Sequence, residues 1–572
     1  MALPSVTPNV LGDDSLTAFD AIVIGSGAAG STVARTLAAA GQTVLVLEAG
    51  DNYFPHLDEP NGLVPPLFSN DELKLQLRMM IAQDPLIEPR AFRAADSDGA
   101  RTFVGDVNGL PRNVGGAAVH ADMKYPRFRP TDFQLGTLIG ADWAGASFAD
   151  WPVDYATLER FYVEIEHKVG VQGPEGQNAD PFAPAKSKPY PMPPGLPMYA
   201  NTILADAAKA LGYHPFAYPT AVASRPYRGR PACIDCGFCS GYGCPTHAKG
   251  SPAVTLLRDA LLTGKVQLRF NAAVTRLLVN ATGTEITGVE YIDPGGNVIT
   301  VSATRYVLAA SAIESARIVM MSGAGVGNSS GLVGRNLMFH YQTIVIGVLR
   351  DRVHGHRGRS VTMGLSDFRG TPGDPNAPLA GIVELGTSAD LIGEAKNYAL
   401  ALAKTGPLLK TLVRESPLRD KLVAMTMQAE DAPQAGNRVD LDPELRDVYG
   451  RPAARITYAS HMFEKTARDF YIPKLLAIHE QAGAQFGLVA PPDTPSASRH
   501  VMGTLRMGDD AAASVCDRYG KLHDLGNLWC ADGALFPTSS GFNPTLTLQA
   551  LALWVAANIV APAAPTSVLE ES

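Results

Sequence analysis

The chain has 572 residues, of which 46% are hydrophobic and 18% charged, an ordinary globular composition long enough for two to four domains' worth of core and unlike that of a disordered chain. Lys and Arg number 48 against 56 Asp and Glu, a formal charge of −8 with no basic run, which argues against a nucleic-acid or anionic-membrane partner. The opening "MALPSVTPNVLGDDSLTA" has neither the basic nor the apolar region of a secretion signal and no twin Arg. The expectation is a cytoplasmic protein, periplasmic only if an exported partner carries it.

The first informative stretch is "FDAIVIGSGAAGSTVARTLAAAGQTVLVLEAG". Ala21 to Ile24 read as a fully buried parallel strand. They are followed by Gly25, Gly27 and Gly30 in the spacing G-x-G-x-x-G, and by a helix of small residues from Ala28 to about Ala40. A second buried strand, Thr43 to Leu47, ends in Glu48, eighteen residues past the last glycine. Gly25 permits the tight turn, and Gly27 with Ala28 and Ala29 lets a pyrophosphate approach the backbone. Gly30 lets helix and strand pack, the helix N-terminus faces the phosphates, and Glu48 can accept from ribose hydroxyls. Strand, glycines, helix, strand and acid in register predict a Rossmann-like dinucleotide site. The motif at the N-terminal end and the "EAG" that follows favour a flavin.

Further along, "CIDCGFCSGYGCPTHAKGS" holds Cys233, Cys236, Cys239 and Cys244 as C-x2-C-x2-C-x4-C. Thiolates at this spacing can wrap an iron–sulfur cluster or a structural zinc ion; free thiols and a local disulfide stay open beside them. Cys516 and Cys530 read as core residues. Pro-rich stretches at 186–197 and 491–498 mark domain boundaries. Near the C-terminal end, "RHVMGTLRMG" sets His500 three residues before Gly503-Thr504, and "SSGFNPTLTLQA" sets Asn543 before Pro544 and Thr545, where a helix opens that should run to about Ala561. That apolar helix is interrupted by Thr547, Gln549 and Asn558, and a buried helix is the better reading than a membrane span.

Several motifs occur together in the order of one family. "NGLPRNVGGAAVHADMKYPRF", "ADWPVDYATLERFYVEIEHKVGVQG", "FNAAVTRLLV", "LAASAIESARIVMMSGAG" and "LWCADGALFPTSSGFNPTLTLQALAL" follow the fingerprint, and from about Phe19 to Ala561 the chain resembles the glucose-methanol-choline (GMC) oxidoreductases, in particular their bacterial sugar and gluconate dehydrogenase flavoproteins. Ala316 stands where the family usually has Pro or Ser. The resemblance implies an α/β, α+β two-domain GMC fold: a Rossmann-like FAD-binding domain and a substrate domain with an antiparallel sheet over the flavin. The boundaries expected are 14–60, 95–130, 229–335 and 495–562 for the first, and 61–94, 131–228 and 336–494 for the second. It further implies that Gly115 and Gly116 lie beside the flavin, that the backbone near Val274 meets adenine, and that Asp532 and Gly533 lie near the ribityl-phosphate portion. FAD is expected without a covalent bond, with a link through His120 as the alternative. Some bacterial relatives carry an iron–sulfur cluster near the cysteines, and others keep similar cysteines without a metal.

The same resemblance gives His500 and Asn543 their roles. Oxidising an alcohol removes a hydroxyl proton and a hydride from one carbon, and an imidazole suits the proton. His500 matches the family's catalytic His, and Asn543 the position of His or Asn that holds the substrate oxygen. The Pro544 helix should direct its positive end at the reduced flavin. The reaction expected is FAD-dependent oxidation of a CH–OH group on a sugar, glycoside, polyol or other alcohol. Its acceptor would be a protein, a quinone or O2, without membrane insertion. The alternatives are a direct O2-using oxidase, a hydroxynitrile-lyase-like protein and an electron-transfer subunit. Much of the pocket should come from Leu332 to Gln485, with Lys249, His354 and His356 as unranked candidates.

Overall fold

The two buried runs of the fingerprint become neighbouring parallel strands, Phe19–Ile24 and Val44–Leu47, paired in register from Ala21 with Val44 to Ile24 with Leu47. The helix Ala28–Ala39 joins them. In the computed structural model, residues 9–561 are described apart from 68–83, 106, 109, 175, 177–178, 238, 356, 388–405, 417, 419 and 493–497. Outside these two strands lie Ala303–Leu308 and then Leu528–Cys530 on one side, and Val266–Arg269 on the other, all parallel. Val10–Gly12 closes that edge antiparallel. The side chains of Ala21, Ile22, Val23, Val44, Leu45 and Val46 are fully buried. Such continuous apolar runs are what a parallel sheet covered on both faces requires.

The C-terminal helix, Thr545–Val560, packs against Ala28–Ala39 and against the helix Tyr155–Val169. Two of the polar residues that break its apolar run are satisfied inside the protein. The Tyr162 hydroxyl lies 2.8 Å from Thr547 Oγ1, and the Tyr125 hydroxyl donates to Gln549 Oε1 at 2.9 Å. Among the described residues no helix is long and apolar enough to cross a membrane.

A second six-stranded sheet is antiparallel, in the order Ala484–Val489, Thr343–Leu349, Leu422–Met427, Val383–Thr387, Met363–Leu365 and Phe216–Ala217. The helix Met462–Gln481 covers one face. Its His479 ring nitrogen Nε2 lies 3.1 Å from the Val345 carbonyl, and Gly347 leaves the space for that ring: a Cβ there would stand 2.3 Å from His479 Nδ1. A four-stranded sheet pairs Arg438–Arg446, Pro452–Thr457, Arg90–Arg93 and Phe103–Gly105, and a three-stranded one pairs Val298–Val301, Ile286–Ile292 and Ala273–Val279.

One buried cation fixes the loop that leads into the C-terminal helix. Arg369 is 2% exposed and donates to Asp132 Oδ1 at 2.7 Å and Glu430 Oε2 at 2.8 Å. The same carboxylates accept from the loop, Asp132 Oδ2 from the Ser540 hydroxyl at 2.9 Å and Glu430 Oε1 from the Ser539 hydroxyl at 2.8 Å. Removing the guanidinium would take from two buried carboxylates the cation they share. Arg369→Ala should cost about 3–5 kcal/mol, read as a lower thermal unfolding midpoint of the holoprotein; an unchanged midpoint would mean that the cluster carries no stability.

Candidate active site

The C-terminal ends of the first two strands open into a cavity of about 620 Å³. Gly25, Gly27, Ala28, Ala29 and Glu48 line it, and so do Gly116, His120, Val274, Asp532, Gly533, Pro544 and Thr545. Three contacts bind the fingerprint into one unit. The Ser26 hydroxyl donates to Glu48 Oε2 at 2.6 Å, its N–H donates to the same oxygen at 3.0 Å, and its oxygen accepts from the Gly115 N–H at 3.0 Å. The Gly50 N–H donates to Glu48 Oε1 at 2.9 Å, which leaves that oxygen room for a ribose hydroxyl.

Gly27 and Gly116 make a bare-backbone cradle. A Cβ on Gly116, whose φ is +65°, would lie 2.8 Å from Gly27 Cα. Gly30 and Gly115 stand behind the cavity rather than on its wall. A Cβ on Gly30 would lie 1.9 Å from the Gly25 carbonyl oxygen, and one on Gly115 would lie 2.8 Å from Ala253 Cβ. The Val274 carbonyl already accepts from Arg451 Nη1 at 2.6 Å. Burial raises the Asp532 carboxyl, which accepts from the Ser315 hydroxyl at 2.6 Å. A glycine cradle at a helix N-terminus, an acid at the end of the second strand and a second helix N-terminus at Pro544–Thr545 fit a dinucleotide such as FAD.

The same cavity is also lined by His500, Asn543, Lys124, Gln342 and Gln428. His500 Nδ1 lies 2.9 Å from His340 Nδ1, the two rings meeting edge to face at 79°. His340 Nε2 in turn lies 3.1 Å from the Ser539 carbonyl oxygen. Burial, then His340 and the Lys124 ammonium, hold His500 well below the ordinary histidine range. Burial also pushes His340 down to about 4.

Asn543 is held at both ends of its amide. Oδ1 accepts from the Tyr218 hydroxyl at 2.5 Å and Nδ2 donates to Glu384 Oε1 at 3.1 Å. Glu384 Oε1 also accepts from Gln428 Nε2 at 3.0 Å, and Oε2 from Lys124 Nζ at 2.6 Å. Gln428 Oε1 accepts from Gln342 Nε2 at 3.1 Å, and Asp122 pairs with Lys124 at 3.0 Å. Sequence reasoning did not find His340, Tyr218, Glu384, Lys124, Gln342 or Gln428. Of the stretch from Leu332 to Gln485, only Gln342, Gln428 and Arg451 reach the cavity wall among the described residues.

Two of the unranked candidates lie elsewhere. Lys249 is buried and donates to the carbonyls of Ala121, Cys239 and Tyr242 at 2.9, 2.5 and 2.8 Å, an anchor for the loop and not a pocket cation. His354 is 3.9 Å from Asp420 and does not line the cavity; His356 lies outside the described residues. Lys249 ties the cysteine loop to the His120 segment, and the Gly241 N–H donates to the His120 carbonyl at 3.0 Å, so that Ser240 and Gly241 form part of the cavity rim. Cys233, Cys236, Cys239 and Cys244 are half-buried and unbridged, and Cys516 and Cys530 are buried and unbridged. Among the described residues no group of three or more His, Cys, Asp or Glu is arranged to hold a metal ion. Burial pushes the Cys233 thiol up to about 11 and that of Cys239 up to about 12.

Known proteins match most of this chain. The N-terminal family model of GMC oxidoreductases matches residues 138–342 and the C-terminal one 433–552, and an NAD(P)-binding Rossmann-like model matches 23–58. The chain is similar to paromamine 6'-oxidase of Streptomyces fradiae, 30% identical over 94% of this chain and 90% of the relative. It is also similar to the gluconate 2-dehydrogenase flavoprotein of Pantoea cypripedii, 28% identical over 95% of this chain and 94% of the relative. The crystal structure of pyridoxine 4-oxidase from Mesorbium loti shares the fold, with a TM-score of 0.61 at 18% identity over 94% of this chain and 99% of that one.

The cradle can be tested without any substrate. Gly116→Val would put side-chain atoms against Gly27 and force a β-branched residue to keep a φ of +65°. The purified variant should lose most of the yellow absorbance per polypeptide; full retention would refute the cradle.

Proposed function

We propose, on the premise that this chain belongs to the GMC oxidoreductase family, that His500 takes the hydroxyl proton of a CH–OH substrate while Asn543 holds the oxygen that loses it. FAD, when bound, supplies the hydride acceptor for the same carbon. The enzyme is therefore an FAD-dependent oxidoreductase acting on CH–OH groups. The observation that carries the residue assignment is the shared cavity: His500, Asn543 and the dinucleotide cradle line one continuous space.

The electrostatics support a neutral base. Burial and two neighbouring positive or potentially positive groups disfavour the imidazolium before substrate arrives. The Asn543 amide cannot turn, because Tyr218 gives its oxygen a proton donor and Glu384 gives its nitrogen an acceptor. Its second amide hydrogen remains for the substrate oxygen. Lys124 pairs with both Asp122 and Glu384, and the amides of Gln342 and Gln428 add donors and acceptors suited to neighbouring hydroxyls. Sugars, glycosides and polyols are the substrate class this wall suits.

The gluconate dehydrogenase flavoprotein and the paromamine oxidase both support oxidation of hydroxyls on carbohydrate frameworks, and we favour a dehydrogenase that passes electrons to a protein or quinone. His120 is read as a wall residue beside a non-covalent FAD. The chain is divided, on the same reading, into an FAD-binding unit of 14–60, 95–130, 229–335 and 495–562 and a substrate-binding unit of 61–94, 131–228 and 336–494. The parallel strands and the antiparallel sheet support that division. The cysteine loop is read as a thiol-bearing rim element.

Three outcomes test the reading. His500→Ala should retain FAD, yet anaerobic mixing with sugars and alcohols should no longer bleach it; unchanged bleaching rejects His500 as base. In the unmutated enzyme the bleaching rate should stay level as pH falls through the ordinary histidine range near ~6.5, because a lowered pKa keeps the ring unprotonated. It should drop only below that range, and a midpoint at or above ~6.5 contradicts the buried-base account. Unfolding without reductant should expose all six thiols with no acid-labile sulfide, and labile sulfide would restore the cluster.

A further inference from the structure

We propose that His340 is a positioning residue that holds His500 as its Nδ1–H tautomer and thereby leaves the Nε2 lone pair for the substrate hydroxyl. The inference rests on the reading of His500 as the base.

Ser539 O can only accept, so His340 Nε2, 3.1 Å away, must carry hydrogen. His340 is 1% exposed, with Arg369 as a neighbouring cation, and its imidazole is held neutral well below physiological pH. A neutral ring protonated at Nε2 has a bare lone pair at Nδ1. That lone pair faces His500 Nδ1 at 2.9 Å. Two lone pairs would repel at such a distance, so the hydrogen between them belongs to His500 Nδ1. A neutral His500 with its hydrogen there has its lone pair at Nε2.

The main chain keeps the two rings in register. The Ser498 hydroxyl oxygen accepts from the His500 N–H at 3.3 Å and from the His340 N–H at 3.4 Å. The charged and titratable groups around the pair act in one direction or are already engaged. Lys124 faces His500 and Arg369 faces His340, and both cations disfavour protonating the rings. Asp431 accepts from the Phe339 N–H at 2.6 Å and from the Tyr458 hydroxyl at 2.9 Å. Glu430 is occupied by Ser539 and Arg369. In the reaction the substrate O–H bond breaks and an Nε2–H bond forms; the Nδ1–H of the resulting imidazolium still points at the neutral His340 lone pair. His340 thus does with a dipole what an acid partner would do with a full charge, without adding a negative charge near the site.

His340→Leu removes the acceptor, and His340→Asn offers an amide oxygen near the position of Nδ1. The leucine variant should bind FAD and substrate as before but be reduced by substrate roughly 10- to 100-fold more slowly, with the asparagine variant recovering much of the loss. In 15N-histidine-labelled unmutated holoenzyme, His500, identified by its disappearance in His500→Gln, should show a pyrrole-type Nδ1 and a pyridine-type Nε2. That spectrum decides the matter if His340→Leu fails to fold. Wild-type reduction rates in His340→Leu, or the opposite tautomer, overturn the proposal. If His500→Ala is inert while His340→Leu is fully active, only the positioning role falls. If His500→Ala is still reduced, the base assignment falls with it.

Discussion

An imidazole that is to accept a proton must present a lone pair to the substrate, and in a protein interior that lone pair is easily lost to a donor or to protonation. The surroundings of His500 bear on this single requirement. Burial and the Lys124 charge remove the incentive to protonate it. The hydrogen-bond path from His500 runs through His340 and ends on the carbonyl of Ser539. That carbonyl belongs to the loop 538–543, which Arg369 fixes through Asp132 and Glu430. The same loop delivers Asn543 to the cavity. One anchored loop therefore governs both Asn543 and, through His340, His500, although the two lie on different parts of the chain.

The buried ions explain why the loop can be rigid without being apolar. A lone carboxylate in such a place would cost several kcal/mol, on the order of its desolvation. Here each acid shares a cation or accepts from a hydroxyl or a backbone N–H. Glu384 extends the pattern toward the cavity, where it joins Lys124, Gln428 and Asn543 through its two oxygens. An amide at position 543 has two orientations, and the Tyr218 hydroxyl with Glu384 leaves only one that satisfies both partners.

The cofactor end was legible because its physics is local. Tight turn, phosphate approach, helix N-terminus and ribose acid follow one another within thirty residues, so spacing alone carries the message. The fold emerges from the same source, since continuous buried runs such as Ala21–Ile24 suit only a covered parallel strand. His500 and Asn543 were visible through family resemblance and not through periodicity. His340, Glu384 and Tyr218 left no trace, because each is a single polar residue whose partner lies more than a hundred positions away. Lys249 shows the converse. A lone lysine reads as a pocket cation until three carbonyls are found around its ammonium. The four cysteines show how much spacing leaves open, since the same thiols stand unbridged here.

The division of labour between the two large sheets has a chemical consequence. The parallel sheet supplies the cradle at its strand ends, where backbone and glycine do the work and few side chains could change without loss of the dinucleotide site. The wall opposite is made at the antiparallel sheet. Gln342 immediately precedes Thr343–Leu349, Gln428 immediately follows Leu422–Met427, and Glu384 lies within Val383–Thr387. These three strands are adjacent, with Thr343 beside Met427 and Met427 beside Val383. The register alone thus brings the two glutamines and the glutamate into one row of hydrogen bonds. Gln342 and Gln428 of that row line the cavity beside His500 and Asn543, whereas His340 reaches it only through its contact to His500. The amides are thus set by the sheet, and Asn543 and the His340 contact by the anchored loop.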